Sequence, residues 1–374
     1  MTDVTKPIAA VDAVPVTVPY RAGVERTTSA IHTMASADHV IIRVRDADGV
    51  EGIGEAPARP TLYGETTGSI VAFVRDHATP AMLGGGADPR ALRRDLNRLP
   101  GNPAAKAAID IALWDLNGRR HGRSLSQLMS GSDTAEIAMT ATMLFGEPTV
   151  MARSAEALAG QGYRSIKIKV GRDPATDVEA VRAIRHAMGP EVDLLLDANQ
   201  QWDLDAASHA LAALLDAGIC PAIMEEPVPH RDLPARIRLK QRFPIAFSSD
   251  ESVCDLQDAV RELNEGISDV YCLKATRTGL TTSLDIAELL RASGRRAYVA
   301  TMRELSFGTV ANAHLAAFLG CAWAELSPVL LFEHGLATTA CSIDDARFSI
   351  PARPGLGLDV DETALANYST EVPA

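Results

Sequence analysis

Cysteine is scarce and scattered: the five thiols Cys220, Cys254, Cys272, Cys321 and Cys341 show neither a CxxC pair nor a Cys/His ligand spacing. That excludes a disulfide-stapled scaffold and a zinc site, and leaves buried, reduced thiols in a cytoplasmic protein as the expectation. Long apolar runs are also missing. None approaches the roughly 18 residues a membrane helix needs, and the opening Met1-Thr-Asp-Val-Thr-Lys-Pro7 has no basic stretch followed by an apolar core. Positive charge is in deficit, with 36 Lys and Arg against 48 Asp and Glu for a net charge of −12, which argues against nucleic acid or an anionic membrane as partner. A small-molecule carboxylate substrate would then need local compensation from a metal, Lys or Arg. The one glycine cluster, Gly84-Gly85-Gly86, has no strand leading into it and no GK[ST] after it, so it reads as a connector and not a phosphate cradle. With 374 residues, 47% of them hydrophobic, the chain is expected to form two domains.

What is present is an ordered series of charges at the ends of apolar runs. Lys167 and Lys169 sit two apart in Ser165-Ile-Lys-Ile-Lys-Val-Gly171. Strand side chains alternate faces, so the two ammonium groups share one side and Ile166, Ile168 and Val170 the other. Unpaired buried charge costs several kcal/mol or more, so carboxylates must lie close by. They follow as Asp197 in Asp193-Leu-Leu-Leu-Asp-Ala-Asn199, Glu225 in Ala222-Ile-Met-Glu-Glu-Pro227 and Asp250 in Ile245-Ala-Phe-Ser-Ser-Asp-Glu-Ser252. Intervals of 28 and 25 residues between these acids suit one strand, loop and helix per unit. That is the rhythm of a (β/α) barrel, whose parallel strands all present their carboxyl ends at the face where active sites are built. Oxygen ligands alone favour Mg²⁺ or Mn²⁺. Lys274 in Val270-Tyr-Cys-Leu-Lys-Ala-Thr-Arg-Thr-Gly279 ends a later run, across the barrel from Lys169. Taken singly, each of these residues is an ordinary edge lysine or turn acid. The force lies in the series.

Along the chain, Ile8 to Val18 is strand-like, and Val40 to Val44 followed by Asp48-Gly49 and Val50 to Glu55 reads as a hairpin. Helices are expected over Ile70 to His77 and Ala104 to Asn117, the second opened by Asn102-Pro103. Eight strand candidates follow: Ile137 to Leu144, Ser165 to Val170, Asp193 to Asp197, Ala222 to Glu225, Ile245 to Asp250, Val270 to Lys274, Ala297 to Met302 and Trp323 to Leu326. Stretches such as Pro174 to Met188 and Leu204 to Ala217 carry apolar residues at helical spacing. After about Arg347 the tail is rich in Pro and Gly and is expected to return to the first domain. His314, in an apolar helical stretch, reads as a hydrogen-bonded core residue, with His334 a second candidate.

The series Lys167-Ile-Lys169, Asp197-Ala-Asn199, Glu225-Glu-Pro227, Asp250-Glu-Ser252 and Lys274 resembles the enolase superfamily, and within it the muconate lactonizing enzyme subgroup, over nearly the whole chain. Gly54-Glu-Ala-Pro57, Tyr63-Gly-Glu65, the stretch Asn102 to Asp115 and Met302-Arg-Glu-Leu-Ser-Phe-Gly308 add to the resemblance. It implies an α/β fold: a modified TIM barrel, (β/α)₇β, over residues 133–346, and an α+β capping domain of residues 1–132 with 347–374 that sets specificity. It implies that Asp197, Glu225 and Asp250 bind the divalent metal, with Asn199, Glu226 and Glu251 orienting ligands or lysines. Lys169 and Lys274 would stand on opposite faces of the substrate as acid and base, with Lys167 holding the carboxylate and keeping Lys169 deprotonated. A lysine base beside Mg²⁺ is a documented arrangement of this superfamily, and the metal and neighbouring ammonium groups are expected to lower a lysine from its ordinary pKa of about 10.4.

The activity implied is cycloisomerisation of cis,cis-muconate or a related diacid to a lactone. N-acylamino acid racemase, dipeptide epimerase and o-succinylbenzoate synthase chemistry are the alternatives on the same scaffold, and a Schiff-base aldolase with Lys274 or Lys169 as nucleophile is the alternative of another class. Dipeptide epimerases of the family carry Asp-x-Asp at the last barrel strand to hold a substrate ammonium. Here that place reads Glu325-Leu-Ser-Pro-Val-Leu-Leu331, closer to the cycloisomerase pattern. Arg303 and Leu305-Ser306, around Glu304, are less typical of it. Candidate substrate contacts are Arg21, Arg26, His32 and Tyr63 in the capping segments, together with Glu304 and Glu325. Symmetric homo-oligomers are common among such relatives and are expected here.

Overall fold

The computed structural model describes residues 6–24, 27–28, 33–131 and 133–371. Near the start of the chain, β1 (Ile8–Pro19), β2 (Ser36–Asp46) and β3 (Glu51–Pro57) form an antiparallel meander. The β2–β3 turn is fixed by the Asp46 carboxylate, which accepts from the amides of Asp48 (2.8 Å) and Val50 (2.9 Å), and by Gly49 at φ 83°. Against β3 lies α1 (Pro103–His121), started by a proline and ended by Gly122 in the left-handed conformation. The contact is close because Gly52 and Gly54 carry no side chain: a Cβ on either would run into the backbone of Ala112 or Ala108. Small residues on both sides let sheet and helix approach, and the apolar core of Ile8, Val40, Ile42, Ile70, Phe73 and Leu113 fills the remaining space. The helix expected over Ile70 to His77 is present as Thr67–Phe73 continued by a π turn at Val74–Ala78.

From residue 141 the chain alternates strand and helix. Seven parallel strands, β4 (Ala141–Met143), β5 (Ser165–Lys169), β6 (Asp193–Asp197), β7 (Ile223–Glu225), β8 (Phe247–Ser249), β9 (Val270–Leu273) and β10 (Arg296–Val299), pair in chain order. Ala324 bridges in parallel to both Met139 and Val299, so the curled sheet closes on itself. The helices after β5, β6, β7 and β8 each open with an aspartate, Asp173, Asp203, Asp232 and Asp255, whose carboxylate caps the amide three residues on.

The expected eighth strand, Trp323 to Leu326, is reduced to one bridging residue, Ala324. The run Ile137 to Leu144 splits in two. Glu136–Ala138 pairs antiparallel with Arg347–Ser349 from the tail, and only residues 141–143 join the barrel. The tail then reaches β1, where Ser369 bridges Val16 and the Thr370 amide donates to the Pro15 carbonyl at 2.9 Å. All five cysteines are free, but only Cys272 is buried and Cys220 is exposed, against the expectation of uniformly buried thiols. Among the described residues no helix is long and apolar enough to cross a membrane.

Candidate active site

Strand alternation puts Lys167 and Lys169 on the inner face of β5, and the carboxyl ends of β6, β7 and β8 bring the three acids to them. Lys167 Nζ lies 2.7 Å from Glu225 Oε1, 3.0 Å from Asp197 Oδ2 and 3.6 Å from Glu325 Oε2. Lys169 Nζ is 2.5 Å from Asp197 Oδ2 and 2.9 Å from Asn199 Oδ1. Across the mouth, Lys274 Nζ donates to Asp250 Oδ2 at 2.7 Å, and Arg277 takes the other oxygen at 2.5 Å. Three strands stand between β5 and β9, so Lys169 and Lys274 face each other over the barrel opening. Both line a cavity of about 360 Å³ together with Lys167, Asn199, Asp250, Glu251 and Glu325. That is the size range of small-molecule sites.

The backbone at this rim is strained. Asn199 (φ 42°), Gln200 (φ 68°), Glu226 (φ 38°) and Arg303 (φ 61°) all adopt left-handed conformations at carboxyl ends of barrel strands. Such residues cost about 1–3 kcal/mol each and gather where geometry serves function. Glu226 is held by the amides of Asp250 (2.8 Å) and Ser252 (2.9 Å), and Asn199 donates to Glu251 at 3.0 Å. These two acids brace the β8 loop that carries Asp250.

Charge is out of balance. Six carboxylates (Asp197, Glu225, Glu226, Asp250, Glu251 and Glu325) meet four cations (Lys167, Lys169, Lys274 and Arg277), Arg236 nearby being taken by Glu262. Burial first, then the charges of Asp197 and Asp250, push Glu225 well above the usual carboxylate range, and burial with Asp250 raises Glu251 to about 8. Glu226 Oε2 and Glu251 Oε2 are buried without a partner. At the strand ends the carboxyl groups formally outnumber the cations paired with them by two, and these oxygen donors fit a hard divalent cation. By proximity alone, among the described residues, Glu225, Asp250 and Cys272 form a donor group within 4.8 Å of one another. Sulfur is a soft donor, so the buried Cys272 is a poor match for a hard ion of this kind. Asp197, whose Oδ2 is turned to the two lysines, is the third carboxylate at the same strand ends.

The expectation for the lysines included the charge of a bound metal; with the side chains alone, two of them shift upward. Burial alone would lower Lys167 and Lys274, but facing carboxylates outweigh it and hold both above the ordinary lysine value. Ion pairing overcomes both desolvation and the neighbouring ammonium groups.

Several expected substrate contacts sit elsewhere. Tyr63 is half-buried, donates to Met302 Sδ at 3.7 Å and faces an adjoining cavity with Gln200 and His230. Glu304 does not line the main cavity. Its carboxylate is spent on Thr276 (2.5 Å), the Met302 amide (2.8 Å), Asn312 (3.1 Å) and Thr301, which makes it a brace for the loop after β10. Arg21 is exposed and donates to the Phe332 carbonyl at 2.7 Å. Arg26 and His32 lie outside the described residues. Glu325 lines the cavity and accepts from Thr142. The sequence reading missed Arg277 and Tyr298, whose hydroxyl bonds Glu225. Only the spacing of Arg277 three residues after Lys274, one helical turn, could have suggested it. His314 is buried with Ser126 Oγ at 2.7 Å from Nδ1, a core residue as expected.

The fold that carries these residues has counterparts among known proteins. Residues 150–364 match the family described as Enolase C-terminal domain-like, and residues 14–130 the Mandelate racemase / muconate lactonizing enzyme, N-terminal domain. Muconate cycloisomerase 1 of Pseudomonas putida is 35% identical over 351 residues, covering 91% of this chain and 92% of that protein. The L-Ala-D/L-Glu epimerase of Bacillus subtilis is 31% identical over 352 residues, 92% and 94% of the two chains. The crystal structure of muconate lactonizing enzyme from Pseudomonas fluorescens complexed with muconolactone superposes with a TM-score of 0.91 at 28% identity, covering 98% of this chain and all of that one. With family matches spanning both the antiparallel domain and the barrel, this chain belongs to the enolase superfamily, whose members use a divalent metal, and is an isomerase of its muconate lactonizing enzyme type.

Proposed function

We propose that this enzyme cycloisomerises cis,cis-muconate or a closely related diacid to its lactone. The domain of residues 1–132 with 347–374 would cap the mouth of the barrel, residues 133–346. Asp197, Glu225 and Asp250 would hold Mg²⁺ or Mn²⁺, which supplies Lewis-acid stabilisation of the enolate, worth several kcal/mol. In the reaction one substrate carboxylate oxygen forms a bond to the far carbon of the conjugated alkene. The displaced π electrons collect as an enolate at the other carboxylate, and a lysine ammonium delivers a proton to the α-carbon. Lys169 and Lys274 flank the cavity from opposite sides, so either can be the donor, and the choice fixes syn or anti addition. Lys167 holds charge beside the acids. Asn199, Glu226 and Glu251 position the donors.

The observation that carries the diacid reading is the fate of Glu325. It is the acid at the last barrel position and is already engaged by Lys167 and Thr142, while Pro328, Leu330 and Leu331 continue that wall as apolar surface. Nothing in this stretch is available to pair a substrate ammonium. Epimerisation is the second reading, favoured by amines on both faces of one cavity. The aldolase alternative falls with membership of an isomerase family. The test is incubation of cis,cis-muconate with the metal-loaded protein in D₂O: loss of the conjugated-diene absorbance with one deuterium in the lactone supports the proposal. An inert muconate beside α-hydrogen exchange in a dipeptide overturns it in favour of epimerisation.

A further inference from the structure

The cap-side wall of the cavity is positively charged, and the catalytic lysines do not account for it. Arg59 and Arg303 both line it. Arg59 is buried, and its acceptors are neutral groups: the Met302 carbonyl (2.5 and 3.1 Å), the Arg303 carbonyl (3.4 Å), the Ala58 carbonyl and His39 Nε2 at 3.0 Å. His39 in turn presents Nδ1 to Glu55 at 2.7 Å. The same Glu55 receives the amides of Leu305 (2.7 Å) and Gly308 (2.8 Å). The chain Glu55–His39–Arg59 therefore ties β2 and β3 of the antiparallel domain to the loop after β10. That loop turns at Arg303 through φ 61°, a conformation an L-residue adopts only when its surroundings impose it. The turn leaves the Arg303 guanidinium part-exposed at the cavity wall, with Nη1 3.3 Å from Tyr20 OH.

We propose that Arg303, presented by this clamped loop, is a specificity-determining residue that pairs with a second anionic group at the end of the substrate far from the lysines. The proposal rests on the diacid reading above and adds the residue that enforces it. A planar guanidinium suits a carboxylate because two N–H groups can donate side by side. Arg59 beside it adds positive potential, and its own donors stay committed to the loop.

The test uses two ligands the enzyme cannot turn over, adipate and hexanoate, which differ by one carboxylate. Their binding to the Mg²⁺-loaded protein is measured by calorimetry. The wild type is expected to prefer adipate by about 10-fold or more, the worth of a charge-assisted hydrogen bond. Arg303→Met should bring the ratio close to unity without changing hexanoate binding, and Arg303→Lys should restore part of it. An unchanged ratio in Arg303→Met, or equal weakening of both ligands, overturns the role of Arg303 even where muconate is turned over. If the wild type neither prefers adipate nor converts muconate, the diacid reading itself falls, and this assignment with it.

Discussion

Replacing Lys167 by methionine separates the charge balance of the site from its packing. The side chain is 2% exposed and touches Asp197, Glu225 and Glu325 at 3.0, 2.7 and 3.6 Å. Methionine nearly conserves its volume, so the cavity penalty is small. What disappears is, among the described residues, the one ammonium hydrogen-bonded to Glu225, whose other named contact is the Tyr298 hydroxyl. Stranding a buried carboxylate costs about 3–5 kcal/mol while it stays ionised, and Glu225, already held well above the usual carboxylate range, relieves part of that by taking up a proton. The neighbouring lysines differ. Without Lys169, Asp197 keeps Lys167 at 3.0 Å, and without Lys274, Asp250 keeps Arg277 at 2.5 Å. Urea denaturation in chelator should therefore place Lys167→Met about 2 kcal/mol or more below the wild type, with the other two lysine variants much closer to it. Adding Mg²⁺ should recover more stability in Lys167→Met than in the wild type, because losing one positive charge beside the acids strengthens cation binding, which is linked to folding by mass action. A Lys167→Met protein within about 1 kcal/mol of wild type in chelator, or one with no added response to Mg²⁺, would refute the account of a carboxylate surplus.

Lys169→Ala and Lys274→Ala should each lower turnover of the true substrate by about 10² or more while circular dichroism stays native; an unchanged rate in either removes it from the reaction. Gly54→Ala would drive a methyl group into the Ala108 backbone and should destabilise the antiparallel domain by about 1–3 kcal/mol or more, which thermal denaturation would read as a lowered midpoint. Burial pushes the His314 imidazole from 6.5 down to about 4. The unfolded chain therefore takes up a proton that the folded one refuses, and stability is lost as pH falls from 6.5 towards 4. Between about pH 7 and pH 5 the cost is about 2 kcal/mol, so urea midpoints should fall over that interval more in the wild type than in His314→Gln; parallel pH profiles would show that His314 is not the titrating group.

The lysine pair and the strand-end acids were legible because two periodicities coincide. Alternation along β5 decides which side Lys167 and Lys169 share, and the spacing of successive barrel units decides which acids meet them. Neither depends on distant parts of the chain. The residues that were not legible are those whose partner is chosen by tertiary packing. Tyr298 reaches Glu225 from three strands away, and Arg277 reaches Asp250 because β9 passes into a helix at Lys274. Glu304 looked like a substrate contact because it follows a strand, yet a carboxylate ringed by Thr276, Thr301, Met302 and Asn312 has no acceptor capacity left for a ligand. The run Ile137 to Leu144 shows the same limit in the backbone. A continuous apolar pattern cannot reveal that the tail will claim its first three residues.

Placement of the strain shows how the two domains divide the work. Left-handed residues after β6 and β7 turn Asn199 and Glu226 back toward Asp197 and Asp250, within the barrel's own network. The left-handed residue after β10 is held differently. Around Arg303 the barrel's own Thr301 and Glu304 take the amides of Arg303 and Met302, while Arg59 on the antiparallel domain takes their carbonyls and Glu55 on β3 fixes the amides of Leu305 and Gly308. The proposed acid–base groups therefore sit at positions the barrel fixes by itself, whereas the wall at Arg303 depends also on how the other domain docks. It follows that Arg59→Ala should raise KM for the substrate far more than it lowers kcat, because it releases the loop and leaves the lysines and acids in place. A fall in kcat with unchanged KM would place Arg59 in the chemistry instead and remove the distinction.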